Sequence, residues 1–278
     1  DEVFRQIRDG EVSLIVLASA RWHSSAACAE IQRDFGGACP PVVFVDGEDY
    51  TQVREDFLGA FEPRVTFKRT FFCNNEEPRM QVPPAGRPFY PLPFSSAWNC
   101  LTWVPWEERT IDLFCVFGNT QWLRPRLKDT CERVAMRFPG LQVMAAVGHP
   151  MAHKEYLQAL QHAKVVIDHQ GGCGTDTVRF WEATSAGACV FSDHRLDGSL
   201  TAGVHFEQFP LDTSREGDDA TWGRIDSMLH GLLENPGRQR ELAQAAYHEV
   251  RAAHTTEHRA SFILQKAREH GVSLEGLA

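Results

Sequence analysis

The chain has 278 residues, and 43% of them are hydrophobic, which is enough apolar material for one large core or two moderate ones. Acidic residues number 37 against 28 basic ones, for a formal net charge of -9. The electrostatic field of a protein with this net negative charge repels phosphate backbones, which argues against nucleic acid as a partner. The sequence shows no apolar run as long as a membrane span and no recognisable signal peptide, so we expect a cytoplasmic protein without a transmembrane segment.

Eight cysteines are spread along the chain without a C-x-x-C pair. Several of them, such as Cys115 and Cys189, lie in apolar runs, which is typical of reduced cysteines in the core of a cytoplasmic protein. The chain begins at Asp1 without a methionine, and its first predicted strand, Val12 to Ala18, comes late. We therefore expect that part of the first domain precedes Asp1.

The first half of the chain alternates apolar runs with helical stretches, as an α/β unit does. The predicted elements are strand Val12 to Ala18, helix Ser25 to Arg33, strand Pro41 to Val45, helix Tyr50 to Leu58 and strand Val65 to Phe71. Six prolines between Asn74 and Pro93 predict a loop or crossover there, because proline lacks a backbone N–H and fixes φ. Trp98, Trp103 and Trp106 follow, and they indicate either core packing or a platform for a sugar ring.

The second half alternates more clearly and predicts a doubly wound domain. Its elements are strand Ile111 to Phe117, helix Leu123 to Phe138, strand Gln142 to Val147, helix Ala152 to His162, strand Lys164 to Asp168, helix Thr177 to Ala186, strand Ala188 to Ser192 and helices Ala220 to Glu234, Gly237 to Ala253 and Thr256 to His270. Ligands of such sheets bind beyond the carboxyl ends of the strands. Gly118, Gly148 and Gly171 all fall at those ends.

The segment from Lys164 to Asp193 carries the most informative pattern. A turn containing Gly171, Gly172 and Gly174 follows a buried strand and allows backbone amides to approach a ligand closely. Thr175 or Asp176 is predicted to cap the helix that follows, whose N-terminus favours a phosphate. Gly187 is predicted to end this helix at the C′ position.

Two polar residues of that helix, Arg179 and Glu182, are three apart and therefore share a face. They predict a ligand site. An exposed ladder of ion pairs formed by Asp176, Arg179 and Glu182 explains the same spacing, and the spacing alone leaves both interpretations open.

The run GTDTVRFWEATSAGACVFSD resembles the donor-domain signature of GT-B glycosyltransferases, in particular the glycosyltransferase family 1-like or CgeB-like proteins. DLFCVFGN followed by Arg124, Arg126 and Lys128 is similar to the opening strand and basic loop of the same domain. VFVDGED with Lys68 and Arg69, the later PLPFS, and the helix Thr256 to Arg268 also resemble these proteins. The resemblance therefore touches most of the chain, but only residues 171 to 187 are specific.

This resemblance implies an α/β, GT-B-like fold of two Rossmann-like domains facing a cleft. It divides the chain into an acceptor-side domain 1–108, a donor-binding domain 109–254 and a closing helix 255–278 that returns to the first domain. It implies that Glu182 holds the ribose of a nucleotide sugar and that basic residues near the turn contact its diphosphate. The implied nucleotide-binding set is Gly118, Arg124, Arg126, Gly172, Gly174, Thr175, Asp176, Arg179 and Glu182.

One position departs from the pattern of the largest related family. Retaining members of that family place a second Glu eight residues before the ribose-binding one, and this chain has Gly174 there. The stereochemical outcome of a transfer reaction therefore stays open.

The acceptor base is expected from the first domain. His23, beyond the first strand, is the best-placed candidate, although the sequence favours an ordinary loop histidine over a base at this position. Asp46, Glu48 and Asp49 cluster at a strand end, either to bind acceptor hydroxyls and act as a base or to cap the helix at Tyr50. The histidine spacing matches no zinc motif, and no metal or other cofactor is expected.

The sequence thus predicts a metal-independent glycosyltransferase that moves a hexose-like sugar from a nucleotide-diphosphate donor to an acceptor hydroxyl on a glycan, lipid-linked glycan, protein or small molecule. A sugar-nucleotide or glycan-binding module without catalysis is the alternative, suggested by Gly174. An epimerase or phosphorylase of the same fold lacks a distinctive motif here.

Overall fold

The computed structural model describes residues 2–18, 29–31, 33–47, 62–69, 72–73, 79–80, 86–96, 101–118, 123–148, 151–170, 177–193, 198–210 and 219–274. The chain divides into two compact units. The first comprises the residues up to Cys73, Arg79–Pro93 and the chain from Arg259 onward, and the second is built around Phe94–His258. None of the described helices is long and apolar enough to cross a membrane.

The first unit contains a parallel sheet of four strands in the order β1-β2-β3-β6. Its strands are β1 (Ile15–Ala18), β2 (Val42–Asp46), β3 (Val65–Lys68) and β6 (Phe89–Pro91), while β4 (Phe72–Cys73) and β5 (Arg79–Met80) form a separate antiparallel pair. A helix that the sequence pattern did not predict, α1 (Glu2–Arg8), precedes β1. Residues 29–31 and 33–35 are helical, with a 3-10 turn at Gly36–Ala38, and the predicted helix Tyr50 to Leu58 lies outside the described residues.

The prediction of a loop for Asn74 to Pro93 is wrong at Arg79–Met80, which forms β5, and at its end, where β6 pairs with β3. Pro91 is tolerated because β6 is the edge strand among the described strands of this sheet, so that its missing N–H breaks no ladder on the outer side. The backbone N–H of Leu92 donates to Lys68 O at 3.0 Å. A hydrophobic core of this unit, which includes Val43, Val65 and Phe67, is completed by Ala267, Val272 and Leu274 from the end of the chain.

The second unit holds five parallel strands in the order β11-β10-β9-β7-β8. They are β7 (Ile111–Phe117), β8 (Val143–Val147), β9 (Ala163–Asp168), β10 (Cys189–Ser192) and β11 (Glu207–Gln208). The helices of this unit are α2 (Leu123–Ala135), α3 (His153–Gln161), α4 (Val178–Ser185), α5 (Asp219–Leu233) and α6 (Pro236–Ala253), with a 3-10 turn at Trp106–Glu108. The next helix, α7 (Thr256–Glu269), belongs to the first unit from Arg259 onward. The predicted strands and helices of this half are confirmed, with small differences at their ends.

Two apolar clusters pack against this sheet. One contains Leu113, Cys115 and Phe117 of β7 together with side chains of α2, α5 and α6. The other contains Phe114 and Val116 of the same strand together with side chains of α4. Since alternate residues of a strand point to opposite faces, β7 is covered on both faces, as is usual for a strand of a parallel sheet. The thiols of Cys115 and Cys189 are buried and free.

Candidate functional site

A cavity of about 350 Å³ lies in the second unit, beside the end of β7 and the first turns of α3 and α4. Four of the residues predicted for nucleotide binding meet there: Gly118, Arg124, Arg179 and Glu182. The remaining lining residues are Val116, Phe117, Met151, His153, Tyr156, Thr177 and Val178. This is the end of the sheet at which parallel α/β domains bind their ligands.

A carboxylate at the end of β9 fixes the start of α4. Asp168 Oδ1 accepts a hydrogen bond from Thr177 Oγ1 at 2.6 Å, and its Oδ2 accepts one from Ser192 Oγ at 3.1 Å. Thr177 Oγ1 in turn accepts from the N–H of Phe180 at 3.1 Å. Thr177 is therefore the N-cap, and the prediction of Thr175 or Asp176 for that role is wrong, because the helix begins at Val178.

The other end of α4 is closed by Gly187, which the sequence predicted as the position after the cap. Its φ is 71°, a conformation that glycine adopts without a steric penalty. The N–H of Gly187 donates to Thr184 O and that of Ala188 to Ala183 O, which is the Schellman pairing. A Cβ on Gly187 would lie 2.2 Å from Cζ3 of Trp103.

A buried guanidinium joins this helix end to the segment before β7. Arg109 is 3% exposed and donates to Ala163 O at 2.6 Å, to Ala186 O at 2.7 Å and to Val104 O at 3.1 Å. Its guanidinium also lies over the rings of Trp103 and Trp106, and burial lowers its pKa to about 10. These two tryptophans therefore serve packing, one of the two roles that the sequence left open.

Two guanidinium groups approach one aromatic ring inside the cavity. The Cζ atoms of Arg124 and Arg179 lie 5.6 and 4.7 Å from the ring centroid of Phe117. Arg124 is 8% exposed, and its Nη1 donates to Gly118 O at 3.0 Å. Burial lowers the pKa of Arg124, and the charge of Arg179 lowers it further, against the pull of Asp168 and Asp193. A bound anion would offset the repulsion that Arg179 exerts on Arg124.

Glu182 supplies the negative wall of the cavity. The residue is 7% exposed, so it is not a member of an exposed ion-pair ladder. Its Oε2 accepts a hydrogen bond from Tyr156 Oη at 3.1 Å. Burial raises the pKa of Glu182, although Tyr156, His153 and Arg179 each oppose that shift.

Arg126 does not line the cavity. Its Nη2 donates to Asp219 Oδ1 at 3.2 Å, and its Cζ lies 4.5 Å from the ring centroid of Trp222. The remaining predicted nucleotide-binding positions, Gly172, Gly174, Thr175 and Asp176, lie outside the described residues, as do His23 and Asp49.

Asp46, predicted as an acceptor-side carboxylate, is fully buried at the end of β2. Its Oδ2 lies 2.9 Å from Lys68 Nζ, which is also fully buried. The two residues are register partners on neighbouring strands, so the pair holds the carboxyl ends of β2 and β3 together. This contact accounts for the carboxylate in structural terms.

The sequence pattern missed Phe117, His153 and Tyr156 as residues of the site. Tyr156 packs its ring against Phe114, with centroids 5.8 Å apart, and against His153, with centroids 6.2 Å apart. His153 and Tyr156 are three apart at the start of a helix that follows a strand, the same arrangement that marked Arg179 and Glu182.

A family model described as glycosyl transferase-like matches residues 105–265, which is more than half of the chain. The chain belongs to this glycosyl transferase-like family. All residues that line the cavity fall inside the matched range. No curated protein matches this family member significantly.

Solved structures of GT-B glycosyltransferases share the fold of this glycosyl transferase-like chain. The GtfA/B complex gives a TM-score of 0.62 at 12% identity over 96% of this chain, which spans only 60% of that one. An alpha-glucosyltransferase in complex with UDP-glucose and DNA containing an abasic site gives 0.63 at 10% identity, over 97% of this chain and 82% of that one. Sucrose-phosphate synthase from Thermosynechococcus elongatus gives 0.58 at 14% identity, over 96% and 76%. These likenesses confirm the predicted α/β, GT-B-like fold class.

Proposed function

We propose that this protein transfers a sugar from a nucleoside-diphosphate donor, with UDP-sugars as the first class to test, to an acceptor hydroxyl. The observation that carries the proposal is the arrangement of Arg124 and Arg179 over Phe117, with Glu182 in the same cavity. Two of the structurally similar glucosyltransferases are in complex with UDP-glucose or UDP, which supports the choice of nucleotide.

The wall of the cavity that carries Arg124 and Arg179, its positive wall, suits a diphosphate. A guanidinium presents a planar fork of N–H donors that matches two phosphate oxygens, and among the described residues no acceptor reaches the buried Nε of Arg179. The N-terminus of α4 adds the positive end of its dipole on the same side. We assign the diphosphate to Arg124, Arg179 and this helix end.

The negative wall suits the ribose. Vicinal hydroxyls donate two hydrogen bonds to one carboxylate, and Glu182 lies one turn after Arg179 on the same helix. A donor that spans both walls places its sugar–phosphate bond near the cationic side. There the two guanidinium groups stabilise the charge that grows on the departing nucleoside diphosphate, and we assign this task to them and not to a metal ion.

The acceptor base belongs to the first unit in this proposal. His23 and Asp49 are the candidates, and Asp46 is the least suited of the predicted three, because its carboxylate is already paired with Lys68. The base removes the proton of the acceptor hydroxyl as that oxygen attacks the anomeric carbon, and the nucleoside diphosphate leaves.

The test is release of nucleoside diphosphate from a panel of UDP-, GDP-, ADP- and TDP-sugars, with and without simple glycan acceptors. We expect turnover with at least one sugar nucleotide and its loss in the Arg124→Ala variant. Arg126→Ala is the matched control, since it removes a guanidinium of the same helix that does not line the cavity. Tight nucleotide binding with no turnover would favour the non-catalytic module. An absence of both binding and turnover would refute the proposal.

A further inference from the structure

Tyr156 and Glu182 are joined across two helices of the second unit. Tyr156 Oη, on α3, lies 3.1 Å from Oε2 of Glu182, on α4. Among the described residues, this hydroxyl is the donor that contacts the carboxylate, and none contacts Oε1. Both side chains line the same cavity.

The direction of this hydrogen bond is fixed by the chemistry of the two groups. Burial raises the pKa of Tyr156, and the charge of Glu182 raises it too, while Arg179 acts against both. The phenol therefore keeps its proton and donates it. An ionised carboxylate only accepts, with two acceptor sites on each oxygen. One site on Oε2 of Glu182 is therefore used by the protein itself, and both sites on Oε1 are left for ligand hydroxyls.

Packing holds the tyrosine in place independently of that bond. Its ring contacts Phe114 of β7 edge-on, with centroids 5.8 Å apart and planes at 60°, and lies parallel to the ring of His153. The hydroxyl is thus presented to Glu182 by a side chain anchored on the strand beneath. A carboxylate at the end of a flexible side chain gains a defined position from such a donor.

Three other charged or titratable groups face Glu182. His153 on α3 and Arg179 on α4 favour its ionised form, and Asp168 at the end of β9 disfavours it. Tyr156 acts in the same sense as the first two and has the largest effect of the groups that oppose burial. Removal of the Tyr156 hydroxyl should therefore raise the pKa of Glu182 further and favour its protonated form.

We propose that Tyr156 is a positioning residue: its hydroxyl holds Oε2 of Glu182 so that Oε1 is aimed at the ribose of the donor nucleotide. This inference rests on the proposed function, since it deepens the role assigned there to Glu182. It adds a residue on α3 to the donor site and makes the relative placement of α3 and α4 a determinant of donor affinity.

The experiment is calorimetric titration of UDP into the full chain between pH 5 and 8, for the wild type and for Tyr156→Phe. The phenylalanine keeps the ring contacts and removes only the hydroxyl. We expect affinity to fall about tenfold at pH 7.5, in keeping with the loss of one hydrogen bond to a charged group. The ratio of the two affinities should widen as the pH falls, and titration of UDP itself cancels in that ratio.

Two further variants separate positioning from other roles. In a Glu182→Ala background the hydroxyl has no carboxylate to position, so Tyr156→Phe should change UDP affinity less than twofold. Tyr247→Phe is the matched control, because that hydroxyl accepts a hydrogen bond from Arg251 at 2.6 Å outside the cavity, and it should leave UDP affinity unchanged. Melting temperatures of all variants show whether the fold is kept.

Three results would overturn the positioning role of Tyr156, and they lead to different conclusions about the donor site. If wild-type protein binds UDP and Tyr156→Phe binds it equally well at every pH, the positioning role is wrong while the donor site stands. An equal loss in the Glu182→Ala background would mean that the hydroxyl acts without Glu182, which also overturns the inference. Failure of the wild type itself to bind any nucleoside diphosphate would overturn the proposed donor site and this inference with it.

Discussion

The guanidinium of Arg179 lies over the ring of Phe117, with Cζ 4.7 Å from the centroid. A cation held against a ring face keeps its in-plane N–H groups available for an anion. Phe117 thus orients the cation, at the end of β7, without consuming the donors that a diphosphate needs.

Replacement of Arg179 by Lys should keep part of the donor affinity and lose more in turnover. Lysine supplies the charge but neither the fork nor the flat face, and a bidentate contact tightens as the leaving diphosphate gains charge. We expect UDP affinity to fall about tenfold in Arg179→Lys and further in Arg179→Ala, as for loss of a charged hydrogen bond. Donor KM and kcat measured beside the melting temperature check this. Unchanged turnover with a lowered melting temperature would mean that Arg179 has only a structural role.

Acidification should weaken donor binding, while protonation of Glu182 itself contributes to folding stability. Burial raises the pKa of Glu182, so the folded protein binds this proton more tightly than the unfolded chain does. The stability that Glu182 contributes is therefore fully present below the pKa that the group has in the unfolded chain. It is lost as the pH rises through the raised pKa that the group has in the folded protein. The ribose needs the ionised form, so donor affinity is full above the raised pKa and declines as the pH falls through it.

The Glu182→Gln variant tests both halves of this prediction. Its UDP affinity should be lower at pH 7.5, and the acid decline that belongs to Glu182 should disappear. Its melting temperature at pH 7.5 should equal or exceed that of the wild type, because a buried charge has been removed. A wild type whose donor affinity is flat from pH 5 to 8, after correction for UDP, would contradict the role of Glu182.

The Gly187→Ala variant should destabilise the second unit. The new Cβ would lie 2.2 Å from Trp103 Cζ3, and the backbone there has a φ of 71°. We expect a loss of about 2 to 4 kcal/mol in unfolding free energy, from the left-handed backbone and overpacking together. Gly203→Ala is the control, since Gly203 has a φ of 73° but nothing within 4 Å of its Cβ position. Equal losses in denaturant titrations of the two variants would show that Trp103 contributes nothing.

The Thr177→Ala variant should cost about 1 kcal/mol in unfolding free energy, the usual value of an N-cap hydrogen bond. Thr177→Ser keeps the hydroxyl that accepts from the Phe180 N–H and donates to Asp168, and it should retain most of the stability. Denaturant midpoints of the two variants, read at equal m-values, give the comparison. A serine variant as unstable as the alanine one would assign the effect to the lost methyl group.

Much of the second unit could be predicted because its strands and helices alternate in a regular way. The strand Ile111–Phe117 was predicted with the bounds that it has, and Gly187 was correctly placed after the end of α4. Helical periodicity also predicts that Arg124 and Arg126 differ in their surroundings, because residues two apart on a helix point to nearly opposite sides. Since α2 begins at Leu123, Arg124 and Arg126 could not both face one cavity.

What the sequence could not reveal depends on tertiary contacts. Tyr156 and Glu182 are 26 residues apart, and only the packing of α3 beside α4 brings them together. The strand Phe89–Pro91 was missed because Pro91 is compatible with a strand only at a sheet edge, and edge position is a property of the assembled sheet. The burial of Asp46 likewise follows from its register with Lys68.

The carbonyl groups that surround Arg109 set a practical limit on how the second unit can be dissected. A fragment that started at Arg109 would lack Val104 O as an acceptor and the two indole rings that flank the guanidinium. The charge would still be enclosed by Ala163 and Ala186, with one donor unsatisfied and one face open to water. An isolated donor-binding fragment should therefore start no later than Leu101, so that it includes Val104 and both tryptophans that contact Arg109.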